Sequence, residues 1–497
     1  MLLPDIQPFT AIYKEKQAQL VYTRLPADLE TPVSAMLKLK DISPYHFLLE
    51  SVEGGAVRGR YSCIGLDPDI VWKCEGEKAY LARDIRGENL TFQPEADHPF
   101  TSLRRLLAEV ALKIPDDLPP MAAGLFGFMG YDMVRLMEKL PEPNPDNLQI
   151  PDSIFIRPRV MVIFDSVKDA AILVTPVWPK EGIEANQAYQ EAEARIQKVL
   201  TSLSKPFHTQ NYQIKEKAQG VHFISNTTQQ EYHAMVDKAK EYVIAGDIFQ
   251  VVPGQRFTAS FDLSPIAFYR SLRHLNPSPF LFYLSLGNFS IVGSSPEILV
   301  RVRDGKITNR PLAGTRKRGA TPEEDAALEK ELLADEKDRA EHLMLVDLGR
   351  NDVGRVAKTG SVKVTEMMVV EYYSHVMHIS SNVEAELAWD KDAIDALVAT
   401  FPVGTVSGAP KIRAMEIIDE LEKEKRSFYA GGVGYVSANG DLDTCITLRT
   451  ALLKDGKLYI QSGGGVVADS DPEAEYQESC NKAKALMRAA ELAVQFV

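Results

Sequence analysis

Apolar positions along the chain switch between a two-residue and a 3.6-residue period, and the switches mark out its elements. Residues 1–202 carry short runs rich in β-branched and aromatic side chains: "YHFLLESV" (45–52), "DIVWKC" (69–74) and "RVMVIFDSV" (159–167). These predict strands, and the Pro- and Asp-dense pieces "IPDDLPP" (114–120) and "LPEPNPDNLQIP" (140–151) predict surface connections. In "GLFGFMGYDMVR" (124–135), Gly124, Gly127 and Gly130 recur every three residues among bulky apolar ones. That spacing predicts close backbone packing or strand bends.

The stretch "LSKPFHTQNYQIKEKAQG" (203–220) is polar and has no periodic apolar face. We therefore divide the chain into an N-terminal region, 1–202, a linker, 203–222, and a second region, 223–497. The second region opens with "TTQQEYHAMVDKAKEYVIAGD" (227–247), an amphipathic helix with Tyr232, Met235, Ala239, Tyr242 and Val243 on one stripe. Thr227 or Thr228 is placed to cap it. "IFQVVPGQRF" (248–257) reads as a strand, "PIAFYRSLRHL" (265–275) as a helix, and residues 280–312 as successive strands with a turn at "RDGK". A long helical stretch is predicted over 322–352, and a strand over "MVVEYYSHVMHISSNVEAEL" (368–387). Hairpins mixed with helices give an α/β (α+β) fold class with antiparallel sheets.

Composition narrows the function classes. Fifty-six basic against sixty-nine acidic residues, a net charge of −13, argue against a nucleic-acid binder. The four cysteines, Cys63, Cys74, Cys445 and Cys480, lack the close spacing of a zinc site and read as reduced thiols. The start, "MLLPDIQPFT", lacks the basic end and apolar run of a signal peptide, and no window approaches a membrane span. A cytoplasmic protein is expected.

Five stretches bear candidate chemistry. On the 322–352 helix, Asp338 and Glu341 lie one turn apart, as do Glu475 and Glu478 on a C-terminal helix that Asp471 and Pro472 start. Such carboxylates suit a hard cation such as Mg²⁺. On spacing alone the favoured reading is solvated faces, with Lys482 pairing Glu478. "QSGGGVVADSD" (461–471) runs from a strand through Gly463, Gly464 and Gly465 to a helix start, which makes an anion cradle or a plain turn. Arg449 falls in an alternating strand pattern that would hold its guanidinium fork steady against a carboxylate. His375 and His378, three apart on a predicted strand, would point to opposite faces and so could not share a metal.

Taken together, these motifs resemble the chorismate-utilising enzymes, and among them the anthranilate synthase large subunits. The matching stretches include "LLES" (48–51), "GDIFQVV" (246–252), "NPSPF" (276–280), "GSSPEILV" (293–300), "RPLAGTR" (310–316) and "EHLMLVDLGRND" (341–352). "SHVMHI" (374–379), "GTVSGAPK" (404–411), "GDLDTCITLR" (440–449) and "ADSDPEAEYQE" (468–478) complete a set that spans nearly the whole chain in order. The resemblance implies a sandwich of two largely antiparallel sheets with helices outside. It implies conversion of chorismate and ammonia to anthranilate and pyruvate, the first step of tryptophan biosynthesis.

By that resemblance, Glu341 and Glu478 match the Mg²⁺ ligands, and Tyr429 and Arg449 the residues that bind the enolpyruvyl carboxylate. Gly314, Thr315 and Gly463–Gly465 match the rest of the substrate pocket. His378 matches the catalytic histidine, and Gln250 and Thr405 also match positions at the catalytic centre. Gln250 stands where water-adding relatives carry a lysine base, and Ala313 where aminodeoxychorismate synthases carry a lysine, so both sibling reactions are disfavoured. The middle glycine of the run departs from the family, which often has alanine there. Glu50, Ser51, Asn276, Pro279, Phe280 and Leu281 match the tryptophan feedback site, although Phe280 and Leu281 alone read as core. The chain has no nucleophilic cysteine elbow for releasing ammonia from glutamine, so the resemblance implies a glutamine amidotransferase partner in a hetero-oligomer. Aminodeoxychorismate synthase is the nearest alternative, and a non-catalytic tryptophan-sensing subunit the alternative from another class.

Overall fold

The computed structural model describes residues 1–53, 57–85, 90–206, 220–373 and 376–497. Among the described residues 21 strands form one continuous hydrogen-bonded network, flanked by helices, and two short strand pairs stand apart from it. Pairing is antiparallel, as the hairpin-rich sequence predicts. Continuity comes from long strands that change partners along their length. Tyr61–Glu75 pairs with Tyr45–Glu50, Lys78–Arg83 and Ser153–Asp165, and bulges between Pro68 and Ile70. Val376–Glu386 likewise pairs with three strands, with register shifts that bend it.

The two regions of sequence interlock. Strand Tyr45–Glu50 pairs with Phe280–Leu286, and Gly124–Met129 with Gly432–Ser437. A Cβ on Gly127 would stand 1.9 Å from the Ile154 carbonyl oxygen, so the predicted close packing at this glycine is real. The apolar core mixes both regions too: Trp72, Phe126 and Tyr131 bury with Phe282, Phe428 and Leu442. Each large side chain so buried contributes about 1.5–3 kcal/mol. Of the expected linker, Leu203 ends the helix Ala185–Leu203, and strand Ile224–Ser225 follows its last residue. Residues 207–219 lie outside the described residues.

Local chemistry sets most boundaries. Helix Gln229–Ala245 starts at Thr228, whose hydroxyl and Glu231 form a reciprocal capping box, and ends at left-handed Gly246. Asp304 (φ 51°) and Gly305 (φ 73°) make the predicted hairpin turn.

Three elements differ from the sequence expectation. The long helix over 322–352 is two helices, Pro322–Ala334 and Glu336–Gly354. Asp335 leaves helical geometry and accepts from the Lys337 and Asp338 amides, so it caps the second helix where the sequence pattern predicts one continuous helix. The strand over 248–257 is divided by Pro253, which has no N–H for a ladder. Gln250–Val251 pairs with Gly408–Ala409, and Gly254–Ser260 with Lys457–Gly463. The stretch 368–387 belongs to a hairpin of Lys363–Tyr372 and Val376–Glu386. His375, between them, lies outside the described residues, as does its relation to His378.

Candidate active site

The site forms where the ends of several strands meet two acidic helices. Strand Leu312–Lys317 bulges at Gly314, which adopts φ 66°, a conformation that glycine takes without penalty. The bulge aims the Gly314 carbonyl at His378 on the neighbouring strand, where Nδ1 lies 2.9 Å from it. Thr315 Oγ1 is 3.1 Å from the same nitrogen. A carbonyl only accepts, so Nδ1 carries the proton and Nε2 is left as a lone-pair acceptor. Tyr373 packs edge-on against the imidazole, 5.5 Å between ring centroids. Burial pushes the His378 pKa down to about 4, and the positive fields of Arg449 and Lys482 push the same way. The ring is neutral at working pH, a base rather than an acid.

Arg449 does not lie in a strand, contrary to the alternating pattern around it. Strand Leu442–Ile446 has ended, and Arg449 takes φ 47° before Thr450–Lys454 begins. The left-handed residue reverses the expected side-chain alternation. Its guanidinium makes no ion pair among the described residues, and burial lowers its pKa, opposed by the fields of Glu297, Tyr429 and Glu478. A half-buried cation without an ion-pair partner, beside the Tyr429 phenol, is a seat for an anion.

Glu297 is a residue that sequence reasoning missed. Its side chain is buried, and Thr405 Oγ1 donates to Oε1 at 3.0 Å. Burial raises its pKa to about 7, opposed by the Thr405 bond and by Arg449. It sits in "GSSPEILV", and a lone acid inside an apolar strand run is the signal that would have found it. Glu297 and His378 thus have pKa values pushed in opposite senses, the pattern expected of an acid and a base sharing one reaction.

The carboxylate helices face each other across the glycine run. Glu341, on Glu336–Gly354, accepts from Gln250 Nε2 at 3.2 Å. Its pKa is raised, chiefly by burial and further by the charges of Asp338 and Glu478. Glu475, on Pro472–Leu492, is likewise raised by burial and by Glu478, and its Oε2 is buried without a hydrogen-bond partner. Glu478 pairs with Lys482 at 2.7 Å, and Lys482 Nζ also donates to the Gly463 carbonyl at 3.0 Å. A Cβ on Gly464 would stand 2.9 Å from Glu475 Oε2, and one on Gly465 2.4 Å from Gln250 Nε2. The atoms met at Gly464 and Gly465 are the ends of flexible side chains, so the run brings backbone close to these groups, and it is at Gly463, where a Cβ would stand 2.4 Å from the Pro253 carbonyl oxygen, that backbone excludes a side chain.

Among the described residues no three His, Cys, Asp or Glu side chains converge into a closed metal cage. The donor set still fits Mg²⁺, which keeps several waters and takes one or two protein carboxylates together with substrate oxygens. Two carboxylates whose pKa is raised by burial and by neighbouring acidic charge, one with an orphaned oxygen, are an arrangement a hard cation relieves.

Of the residues expected at a feedback site, three share one cavity. Ser51, Pro279 and Phe280 line a cavity of about 470 Å³ whose walls also include Pro296, Glu371 and Tyr373. Leu281 is buried in the core instead. Glu50 is committed elsewhere: Arg273 grips its two oxygens at 2.7 and 3.0 Å, and Tyr269 donates at 2.5 Å. Asn276 follows helix Pro265–Leu275, and its carbonyl accepts from Ser294.

Known proteins share this architecture. The family described as chorismate binding enzyme matches residues 67–488. The chain is 57% identical over 489 residues to anthranilate synthase component 1 of Cereibacter sphaeroides, covering 98% of each chain. To the Aquifex aeolicus protein of the same name it is 46% identical, over 95% of this chain and 94% of that one. In three dimensions it superposes on anthranilate synthase component I from Streptococcus pneumoniae with a TM-score of 0.76 at 38% identity, over 86% of this chain and 92% of that one. The menaquinone-specific isochorismate synthase of Escherichia coli, at 20% identity and a TM-score of 0.70 over 96% and 95% of the chains, shares the fold.

Proposed function

Since the chain belongs to the chorismate-binding enzyme family, we propose that it converts chorismate and ammonia to anthranilate, pyruvate and water, as the first step of tryptophan synthesis. The observation that carries the chemistry is that neutral His378 and protonatable Glu297 both lie within the field of Arg449. Arg449 and Tyr429 bind the enolpyruvyl carboxylate by charge and hydrogen bond. Glu297, protonated near neutrality and held by Thr405, gives its proton to the departing ring hydroxyl, which leaves as water. His378 Nε2 takes the ring proton as pyruvate departs and the ring becomes aromatic. Mg²⁺, held by Glu341 and Glu478, would grip the ring carboxylate and withdraw electron density. Gly463–Gly465 let backbone come close to the same substrate. Gln250, bonded to Glu341, has no basic nitrogen with which to activate water, so ammonia is the nucleophile.

Ammonia comes from a glutamine amidotransferase partner, and the complex works in the cytoplasm. Tryptophan binds at the Ser51, Pro279 and Phe280 cavity, with Asn276 and the Glu50–Arg273 pair bracing its wall. Pro296 precedes the acid and Tyr373 packs on the base, so an occupant of this cavity presses on both catalytic groups.

Purified protein given chorismate, Mg²⁺ and an ammonium salt is expected to form fluorescent anthranilate without the partner. Accumulation of aminodeoxychorismate would overturn the assignment. Tryptophan is expected to suppress the signal, and Ser51→Ala to relieve that suppression. Inhibition unchanged by Ser51→Ala would remove the feedback site from this cavity.

A further inference from the structure

Beneath the substrate pocket lies a buried charge that none of the steps above uses. Arg426 is 2% exposed, one of the largest fully buried side chains in the molecule. Its donors fan out to three separate segments. Nη1 donates to the Val406 carbonyl at 2.7 Å, Nη2 to the Val252 carbonyl at 2.5 Å, and Nε and Nη2 to the Glu422 carboxylate at 3.1 and 2.6 Å. The guanidinium also lies over two rings, 4.9 Å from the centroid of Tyr131 and 5.5 Å from that of Tyr429.

Each tether ends beside a pocket residue. Val406 follows Thr405, which holds Glu297. Val252 is two residues beyond Gln250, whose amide meets Glu341. Tyr429 is itself a pocket wall, and its amide donates to the Arg426 carbonyl at 3.1 Å. Glu422 extends the same grip, accepting from the Gly254 amide at 2.8 Å. Ser427 (φ 54°) and Ala430 (φ 61°) hold left-handed backbone on either side of Tyr429. Such strain persists only where the surroundings fix the chain.

We propose that Arg426 is a positioning residue, a buried clamp that sets Tyr429, Thr405 and Gln250 at fixed separations around the substrate. A planar fork with five donors suits this task. A lysine in its place offers one point charge and cannot reach two carbonyls and a carboxylate lying in different directions. The inference rests on the assignment of Tyr429 to the substrate's carboxylate, and its test separates the two.

Three variants are compared by KM for chorismate, kcat per folded molecule and melting temperature. Tyr429→Phe tests the pocket itself. Arg426→Lys tests whether charge alone suffices. Arg426→Met combined with Glu422→Gln removes both charges, so no unpaired ion is buried, and keeps an acceptor for the Gly254 amide. The clamp predicts that Tyr429→Phe and both Arg426 variants raise KM at least tenfold, and that lysine does not rescue. A core staple with no role in positioning would lower the melting temperature and leave the KM of the folded fraction unchanged. If Tyr429→Phe raises KM but a folded Arg426 variant does not, the clamp is wrong and the pocket assignment stands. If Tyr429→Phe leaves KM unchanged, both fall. Failure of the neutral double variant to fold also overturns the clamp, because Arg426 is then a stability element.

Discussion

Replacing His378 with alanine is expected to lower kcat for anthranilate formation by about 10²–10⁴-fold, the usual contribution of a positioned proton acceptor. The fold is expected to survive, since the hydrogen-bonding neighbours of the imidazole among the described residues are the Gly314 carbonyl and the Thr315 hydroxyl, with the edge of Tyr373 packed against it. Far-ultraviolet circular dichroism and the melting temperature check the fold, and the fluorescence rate checks the chemistry. Because burial holds His378 near a pKa of about 4, the wild-type rate is not expected to fall on its account between pH 8 and pH 5. A near-normal rate in the alanine variant would remove His378 from the mechanism.

Glu341→Gln is the second large effect. It keeps the side chain's size and loses the charge a divalent cation needs. The Mg²⁺ concentration giving half-maximal rate is expected to rise 10–100-fold or more, as for other lost metal-site groups. Calorimetric titration with Mg²⁺ should lose its binding heat in parallel. Stability supplies an independent signature. The folded-state pKa of Glu341 is raised, so ionising it costs stability above that pKa, and the cost is absent below the ordinary carboxylate range. In metal-free buffer the glutamine variant should therefore melt higher than wild type at pH 8 and equal to it at pH 4. An unchanged Mg²⁺ requirement would take Glu341 out of the metal site.

The elements that the chain spells out locally were legible from it. The Thr228 capping box, the Asp471–Pro472 helix start and the Asp304–Gly305 turn are short-range chemistry, and the structure forms each of them. Elements set by competition between local and distant partners were not. Asp335 lies within a continuous run of good helix formers, so the break it makes between two helices has no punctuating Gly or Pro to announce it. Arg449 sits in a perfect two-residue alternation, yet its backbone turns left-handed where two strands part.

The candidate site divides along the same line. Glu341, Glu478 and His378 were identifiable by resemblance, and the structure puts Glu341 within the field of Glu478 and His378 within that of Lys482, one turn from Glu478. What the alternation of residues cannot carry is burial and field. Glu297 is protonatable near neutrality because the fold desolvates it, by more than Thr405 and Arg449 oppose. Lys482, one turn from Glu478, read as an ordinary surface pair until its second bond to the Gly463 carbonyl appeared. Glu50, expected at the feedback site, is the partner of Arg273 and Tyr269, bonds between distant segments that the sequence does not announce.

The central claim is that Glu297 is the acid and His378 the base across one bound substrate. The pH dependence of kcat/KM for chorismate between pH 5 and pH 9, in wild type and in Glu297→Gln, tests it most directly. An acid must be protonated to act, so the wild-type profile should descend with a midpoint near the raised Glu297 pKa of about 7. The glutamine variant should be slower throughout and lack that descending limb. A limb near pH 7 that survives in Glu297→Gln would contradict the account.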